Sequence, residues 1–262
     1  MVHGKIKSMD KVNILGVNVD NINMEGAKDR VVGWLRKDSP ASMRNEKHYI
    51  VTPNPEFVMA AQKDPGFKDI INKADLAIPD GIGLRLRGDL ESTISGVDLM
   101  ERLVELSSDL GATVGFLGGE EGVAKRCAEC LQKKYPGLKI SFAEDGGKID
   151  DEGNWVGIKK PVWEPNRHPN LNPTSLPDTD ILFVAFGQVK QEKWIYKNLP
   201  KIPVKIAMGV GGAFDEISGK VPRIPSILHK MGLKWLFRLI LEPWRIKRQL
   251  ALVRYVWKIL TG

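Results

Sequence analysis

The sequence predicts an α/β fold: a Rossmann-like parallel sheet sandwiched by helices, with a helical, basic C-terminal appendage. Three observations predict it. Short continuous apolar runs recur along the chain, as in parallel strands buried on both faces. Stretches with helical period separate them, and such alternation builds layered α/β sandwiches. Charge is also segregated. The net charge is +7, yet from Arg223 onward nine Lys or Arg face one acid, Glu242, so the tail holds +8 and the rest about −1.

Taken in order, KVNILGVNV and HYIVTP read as strands, followed by PEFVMAAQKDPGFKDIINKA as one helix and LAIPD as a strand. GVDLMERLVELSSDLG is an amphipathic helix, TVGFLGG a strand and EEGVAKRCAECLQKKYP a helix. LKISFAE, DILFVAF and VKIAMGV complete the strands, with QEKWIYKNL helical between the last two. Residues 1–221 form the expected α/β core and 222–262 the appendage. Residues 146–177, rich in Pro, Asn and Gly without helical period, read as a loop insertion within the core.

At 262 residues and 42% hydrophobic composition, the chain can bury a core without staples. It has no apolar run long enough to span a bilayer, and MVHGKIKSMDKVNI lacks the apolar segment of a signal peptide. A cytoplasmic location is expected. Cys127 and Cys130 form a CxxC in mid-helix with no second ligand pair nearby, so they read as helix residues and not as a redox or zinc motif.

In open α/β sheets, ligands bind beyond the carboxyl ends of the strands. Thr52 and Asn54 follow HYIV, Asp80 follows LAI, Gly118 and Gly119 end TVGFLGG, and Gln191 follows DILFVAFG. Gly209, Gly211 and Gly212 close VKIAMGVGG. These clusters should converge on one sheet edge. Asp80, flanked by Gly81 and Gly83, is the candidate general base, because glycines permit close approach of a ligand. The glycines of FLGGEEG and GVGGAF are weak nucleotide-binding candidates. Their spacing is not G-x-G-x-x-G, which also argues against a nicotinamide oxidoreductase, and Glu120 and Glu121 oppose phosphate. Asp178-Thr179-Asp180 has the D-x-D form of metal-dependent sugar transferases but precedes its strand, which puts it at the opposite edge. The four histidines are scattered. No metal and no cofactor are expected.

In the tail, Trp235, Leu236, Leu239 and Ile240 share a helical face. A second helix after Glu242-Pro243 sets Trp244, Ile246, Leu250, Val253 and Trp257 against Arg245, Lys247, Arg248 and Arg254. Bases interleaved with Trp and Leu suit a helix lying in an anionic lipid interface. Docking on its own domain, or on a second subunit in a homo-oligomer, is the alternative. Nucleic acid is disfavoured, since it needs no apolar partner face.

The motifs T-P-N-P-E (52–56), A-D-L-A-I-P-D-G-I-G (74–83), G-V-D-L (96–99) and F-L-G-G (116–119) occur in this order. K-Y-P-G-L-K-I (134–140), Q-E-K-W-I (191–195), G-V-G-G-A-F-D (209–215), G-K-V-x-R-x-P (219–225) and G-L-K-W-L-F-R-L-I-x-E-P-x-R-x-x-R, ending at Arg248, follow. Together they resemble the WecG/TagA/CpsF glycosyltransferases along nearly the whole chain. The resemblance implies an inverting transferase that moves N-acetylmannosamine or its uronic acid from a UDP donor to undecaprenyl-diphosphate-N-acetylglucosamine. The product is a β-linked disaccharide lipid for teichoic acid, capsule or common-antigen synthesis, made on the inner face of the membrane. It implies Asp80 as base and Thr52, Asn54 and Gln191 as pocket residues. Arg238, Arg245 and Arg248 would reach the diphosphate, and Arg223, in G-K-V-x-R-x-P, joins the substrate-binding candidates. The chain departs from the family at Thr93, where an Arg is usual, with Arg85 or Arg87 as substitutes, and in lacking a proline near Gly187. A member impaired in catalysis, binding a UDP-sugar or polyprenyl-diphosphate sugar, is the alternative function.

Overall fold

The computed structural model describes residues 10–36, 46–87, 90–156, 176–224, 234–241, 243 and 246–261. Among them, six parallel strands form the central sheet in the order β4-β3-β8-β7-β5-β6. These are β3 (His48–Val51), β4 (Leu76–Ala77), β5 (Thr113–Gly118), β6 (Lys139–Glu144), β7 (Thr179–Ala185) and β8 (Val204–Gly209). From β3 the chain runs outward to β4, and from β5 outward to β6, after which β7 and β8 fill the middle. The loops after the central strands are thereby brought side by side at one edge.

Alternate strand residues point to opposite faces. Ile50, Phe116 and Phe183 join one buried cluster, with α4 (Gly96–Leu110) and α5 (Val123–Lys134). Val51, Leu117 and Val184 join the other, with α2 (Pro55–Ala61), α3 (Pro65–Asn72) and α6 (Lys190–Asn198). Both faces are covered, which is why the strands read as unbroken apolar runs. The expected α/β sandwich is present.

Two elements differ from expectation. KVNILGVNV is not one strand but an antiparallel hairpin, β1 (Lys11–Ile14) and β2 (Val17–Asp20). Leu15 and Gly16 both adopt positive φ (51° and 84°), as a two-residue hairpin turn requires, and the Gly16 N–H donates to Asn13 Oδ1 at 3.0 Å. The long helix expected after Pro55 is two helices. Pro65 has no N–H to continue the first, and Asp64 caps the second by accepting from Phe67 N at 2.9 Å.

The segment 146–156, part of the expected loop insertion, is built against the core: Ile149 bridges Trp155, whose ring meets Phe186 and Trp194 edge-on. Residues 157–175, including Trp163, lie outside the described residues.

The tail holds α8 (Lys234–Leu241) and α9 (Ile246–Thr261). α9 packs on α2 and on the 3-10 helix Ile82–Arg87, with Tyr255 fully buried. No helix among the described residues is long and apolar enough to cross a membrane. Cys127 is buried and Cys130 exposed, and burial pushes the Cys127 thiol far up, so it stays protonated.

Candidate active site

Parallel strands put all their carboxyl ends on one edge, and there a cavity of about 990 Å³ opens. Thr52, Asn54, Asp80, Gln191 and Arg238 line it, together with Gly119, Gly211 and Gly212. Segments up to about 190 residues apart thus meet.

Asp80 lies three residues beyond β4. Its N–H donates to Pro53 O at 2.8 Å, and its Oδ2 accepts from Gly96 N at 3.2 Å. Gly96 begins α4, and Ser95, its N-cap, makes no side-chain cap bond. The carboxylate of Asp80 therefore serves a helix N-terminus from a neighbouring segment, where the helix dipole favours negative charge. Thr52 crowds the same spot. A methyl on Gly96 would come within 3.2 Å of Thr52 Oγ1 and 3.5 Å of Asp80 Oδ2, so the glycine lets both groups close on the helix start.

Asn54 lines the wall while its Oδ1 caps α2, accepting from Phe57 N at 2.9 Å. Gln191 sits at the start of α6 and is 3% exposed. Gly118 and Gly209 are placed behind the wall. A side chain on Gly118 would strike the Ala185 backbone at 2.7 Å, and one on Gly209 would strike Glu192 and Gln191. These two glycines let chains pack closely; the other three border the cavity.

The arginines separate. Arg238, on α8, is 7% exposed and its Nη1 donates to Glu216 Oε1 at 3.2 Å. Glu216 belongs to α7 (Ala213–Ile217), directly after the glycine turn. Arg223 pairs instead with Glu101 on α4 and does not line the cavity. Arg245 lies outside the described residues, as does the side chain of Arg248 on α9. Neither Thr93 nor Arg85 lines the cavity.

Two lysines, Lys148 and Lys190, add positive charge to the wall; Lys190 Nζ lies 2.9 Å from Asp151 Oδ1. Lys220 neutralises Glu120 and Asp215 at 2.8 and 3.2 Å. It thus offsets an acid that opposes phosphate at the FLGGEEG turn. Lys148, Lys190 and Glu216 escaped the sequence reading. Only the acidic pair Asp215-Glu216 after GVGGAF hinted at a partner for a tail arginine.

The D-x-D does lie at the far edge. Asp180 accepts from Thr113 N at 2.8 Å and pairs with Lys205 at 2.6 Å, and these partners hold its carboxyl below the usual range against its burial. Among the described residues, no group of three His, Cys, Asp or Glu side chains is arranged to hold a metal. The cavity offers the Asp80 carboxylate at the start of α4, neighbouring hydroxyl and amide groups, and cations on its wall. That set can accept a proton and stabilise an anionic leaving group.

The sequence profile described as "Glycosyl transferase WecG/TagA/CpsF family" matches residues 12–262. The chain is 33% identical over 228 residues to the N-acetylglucosaminyldiphosphoundecaprenol N-acetyl-beta-D-mannosaminyltransferase of Bacillus subtilis (strain 168), covering 82% of this chain and 83% of that protein. Identity to the protein of the same name from Staphylococcus aureus (strain MRSA252) is 30% over 254 residues, 95% of this chain and 92% of that one. A third protein of that name, from Bacillus spizizenii, is 32% identical over 222 residues, 83% of this chain and 80% of its own.

Proposed function

The chain belongs to the WecG/TagA/CpsF family of glycosyltransferases, and on that premise we propose that it transfers N-acetylmannosamine, or its uronic acid, from UDP to a polyprenyl-diphosphate-linked N-acetylglucosamine. The observation that carries this reading is the meeting of Asp80 and Thr52 at the start of α4, inside a cavity roomy enough for two sugars and a nucleotide. Asp80 takes the proton from the acceptor hydroxyl as its oxygen attacks C1 of the donor sugar. The bond from C1 to the diphosphate oxygen breaks on the opposite face, so a single displacement inverts the anomeric centre and releases UDP. Lys148, Lys190 and Arg238 on the wall, with Arg245 and Arg248 of the tail, meet the charge of the departing diphosphate.

Purified protein given UDP-N-acetylmannosamine and a lipid-diphosphate-N-acetylglucosamine analogue is expected to release UDP at a rate far above hydrolysis without acceptor. A panel of UDP-sugars identifies the donor. Binding of UDP without release in the presence of any donor favours the second reading, a catalytically impaired member, which Thr93 in place of the usual arginine supports.

The tail supports a location at the inner face of the cell membrane. Leu250, Val253, Trp257 and Leu260 recur on one side of α9 and are 54–76% exposed, while Tyr255 on the other side is buried. A helix with apolar residues on both its inner and its outer face wants a second apolar neighbour. On α8, Trp235 and Ile240 are exposed as well. Anionic headgroups add about 1 kcal/mol for each nearby base. Replacing Val253 and Trp257 with Ser is expected to weaken flotation with anionic vesicles about 100-fold, since each side chain is worth about 1.5–3 kcal/mol on burial. The melting temperature should stay put. Undiminished flotation, or a change from dimer to monomer in the variant, assigns the face to a second subunit instead.

A further inference from the structure

A line of hydrogen bonds joins the turn before α6 to the turn after β8. The Val189 N–H donates to Glu192 Oε2 at 2.7 Å, Gln191 Nε2 to Glu192 Oε1 at 2.6 Å, and the Gly211 N–H to Gln191 Oε1 at 3.0 Å. Glu192 has no exposed surface. The ends of this line decide its middle. A backbone N–H only donates and an ionised carboxylate only accepts, so the Gln191 amide must turn its oxygen to Gly211 and its nitrogen to Glu192. One Nε2 hydrogen and one Oε1 lone pair then remain for other partners at the cavity wall. The surroundings are shaped to this pair. A side chain on Gly209 would stand 2.5 Å from Glu192 Oε1 and 2.7 Å from Gln191 Nε2. Val189 holds φ at +74°, a conformation costly for a β-branched residue, with its N–H tied to the same carboxylate.

We propose that Glu192 is a positioning residue for glycosyl transfer: its ionised carboxylate orients the Gln191 amide and, through it, the Gly209–Gly212 turn against the substrate. The proposal rests on the transferase reading above. A carboxylate buried this deeply is costly, and its persistence here points to a use. Burial pushes its pKa up to about 7, against the bonds from Gln191, its own backbone and Val189 that pull it down. The charged groups on the elements around it already have partners. Lys193 of α6 pairs with Asp64 and Glu152, Lys190 with Asp151, Lys205 of β8 with Asp180 of β7, and Asp215 and Glu216 of α7 with Lys220 and Arg238. From β3, the Tyr49 phenol is buried, and is raised first by that burial and then by the charge of Glu192. Once protonated, Glu192 presents an O–H where it had accepted, so either Val189 or Gln191 loses its acceptor. The amide is then free to turn over, and Gly211 loses its bond.

The test uses the full chain, with UDP release followed from pH 5.5 to 9 alongside the ¹H–¹⁵N shifts of the Gly211 amide and the Gln191 side chain. In the wild type, kcat is expected to fall on an acid limb centred near pH 7, and both shifts should titrate with it. Glu192→Gln cannot accept from both donors. It should lose about tenfold in kcat at pH 8 while KM for the donor changes less, lose the limb near 7, and show no such shift titration. Glu192→Asp, which keeps the charge, should recover part of the rate and the limb. Wild-type kcat in Glu192→Gln at pH 8, an unchanged acid limb, or shifts that do not titrate in the wild type overturns the proposal while the transferase reading stands. A wild type that never releases UDP overturns both.

Discussion

Replacing Asp80 with Asn is expected to lower kcat by about 10²–10⁴ while the protein still folds and still binds UDP. Asn has the same shape, and its amide oxygen can still accept from Gly96 N, the 3.2 Å bond that ties this loop to α4. The backbone bond from the Asp80 N–H to Pro53 O at 2.8 Å is untouched. What disappears is the negative charge at the helix start, worth about 1 kcal/mol or less of stability, and the capacity to take a proton. Because the change is confined to basicity, the loss should fall on kcat and leave KM for the donor within a few-fold. Of the other acids on the wall, Glu56, Glu120, Asp215 and Glu216, three are held in ion pairs: Glu120 and Asp215 share Lys220, and Glu216 pairs with Arg238. Full activity in Asp80→Asn would remove Asp80 as the base. Single-turnover measurement separates a lost chemical step from slow product release.

The second large effect is expected at the ion pair that fastens the tail. Arg238 and Glu216 are both nearly buried, with side chains 9% and 8% exposed, and the guanidinium lies over the glycine turn, where a side chain on Gly212 would meet Nη2 at 3.0 Å. Arg238→Ala leaves the carboxylate of Glu216 without its guanidinium and empties that space. Breaking such a pair costs about 3 kcal/mol or more. Because α8 belongs to the C-terminal tail, the cost should appear first as local undocking, read as faster amide exchange in α8 and altered Trp235 fluorescence, and then as a lower melting temperature. The paired replacement Arg238→Met with Glu216→Met puts apolar volume in place of both charges. It is expected to recover most of the stability without recovering turnover. Recovery of both would make Arg238 only a fastening; loss of turnover alone in Arg238→Ala, with α8 still docked, would make it only a ligand of the diphosphate.

These variants fall on residues that differ in how far the linear chain revealed them. Asp80, Thr52 and Gln191 each follow an apolar run, and a parallel sheet can only carry such positions to a common edge. Their meeting was legible before any coordinate. The far-edge position of Asp180 followed from the same rule, since it precedes its strand. Local chemistry was legible less well. Leu15-Gly16 looks like mid-strand in a run of alternating residues, but two positive φ angles make it a turn. Pro65 stood in plain sight within a helical period and was overruled by that period, although the missing N–H decided the matter.

By itself, the sequence determined the α/β layering, the family, the edge where the cavity opens and the segregation of positive charge into the tail. All of these follow from periodicity, order and composition, which are properties of the chain as written. Only the tertiary structure decided which way side chains point across elements. It turned Arg238 inward onto Glu216 and left Trp235 and Ile240 more exposed, and it gave α9 one face packed on the core and another, also apolar, that is exposed. It also put Gly118 and Gly209 to packing use, and it drew Glu192, Gln191 and Gly211 into one line from two separate turns. Such contacts depend on distances of a few ångströms between segments remote in the chain, and no local pattern carries them.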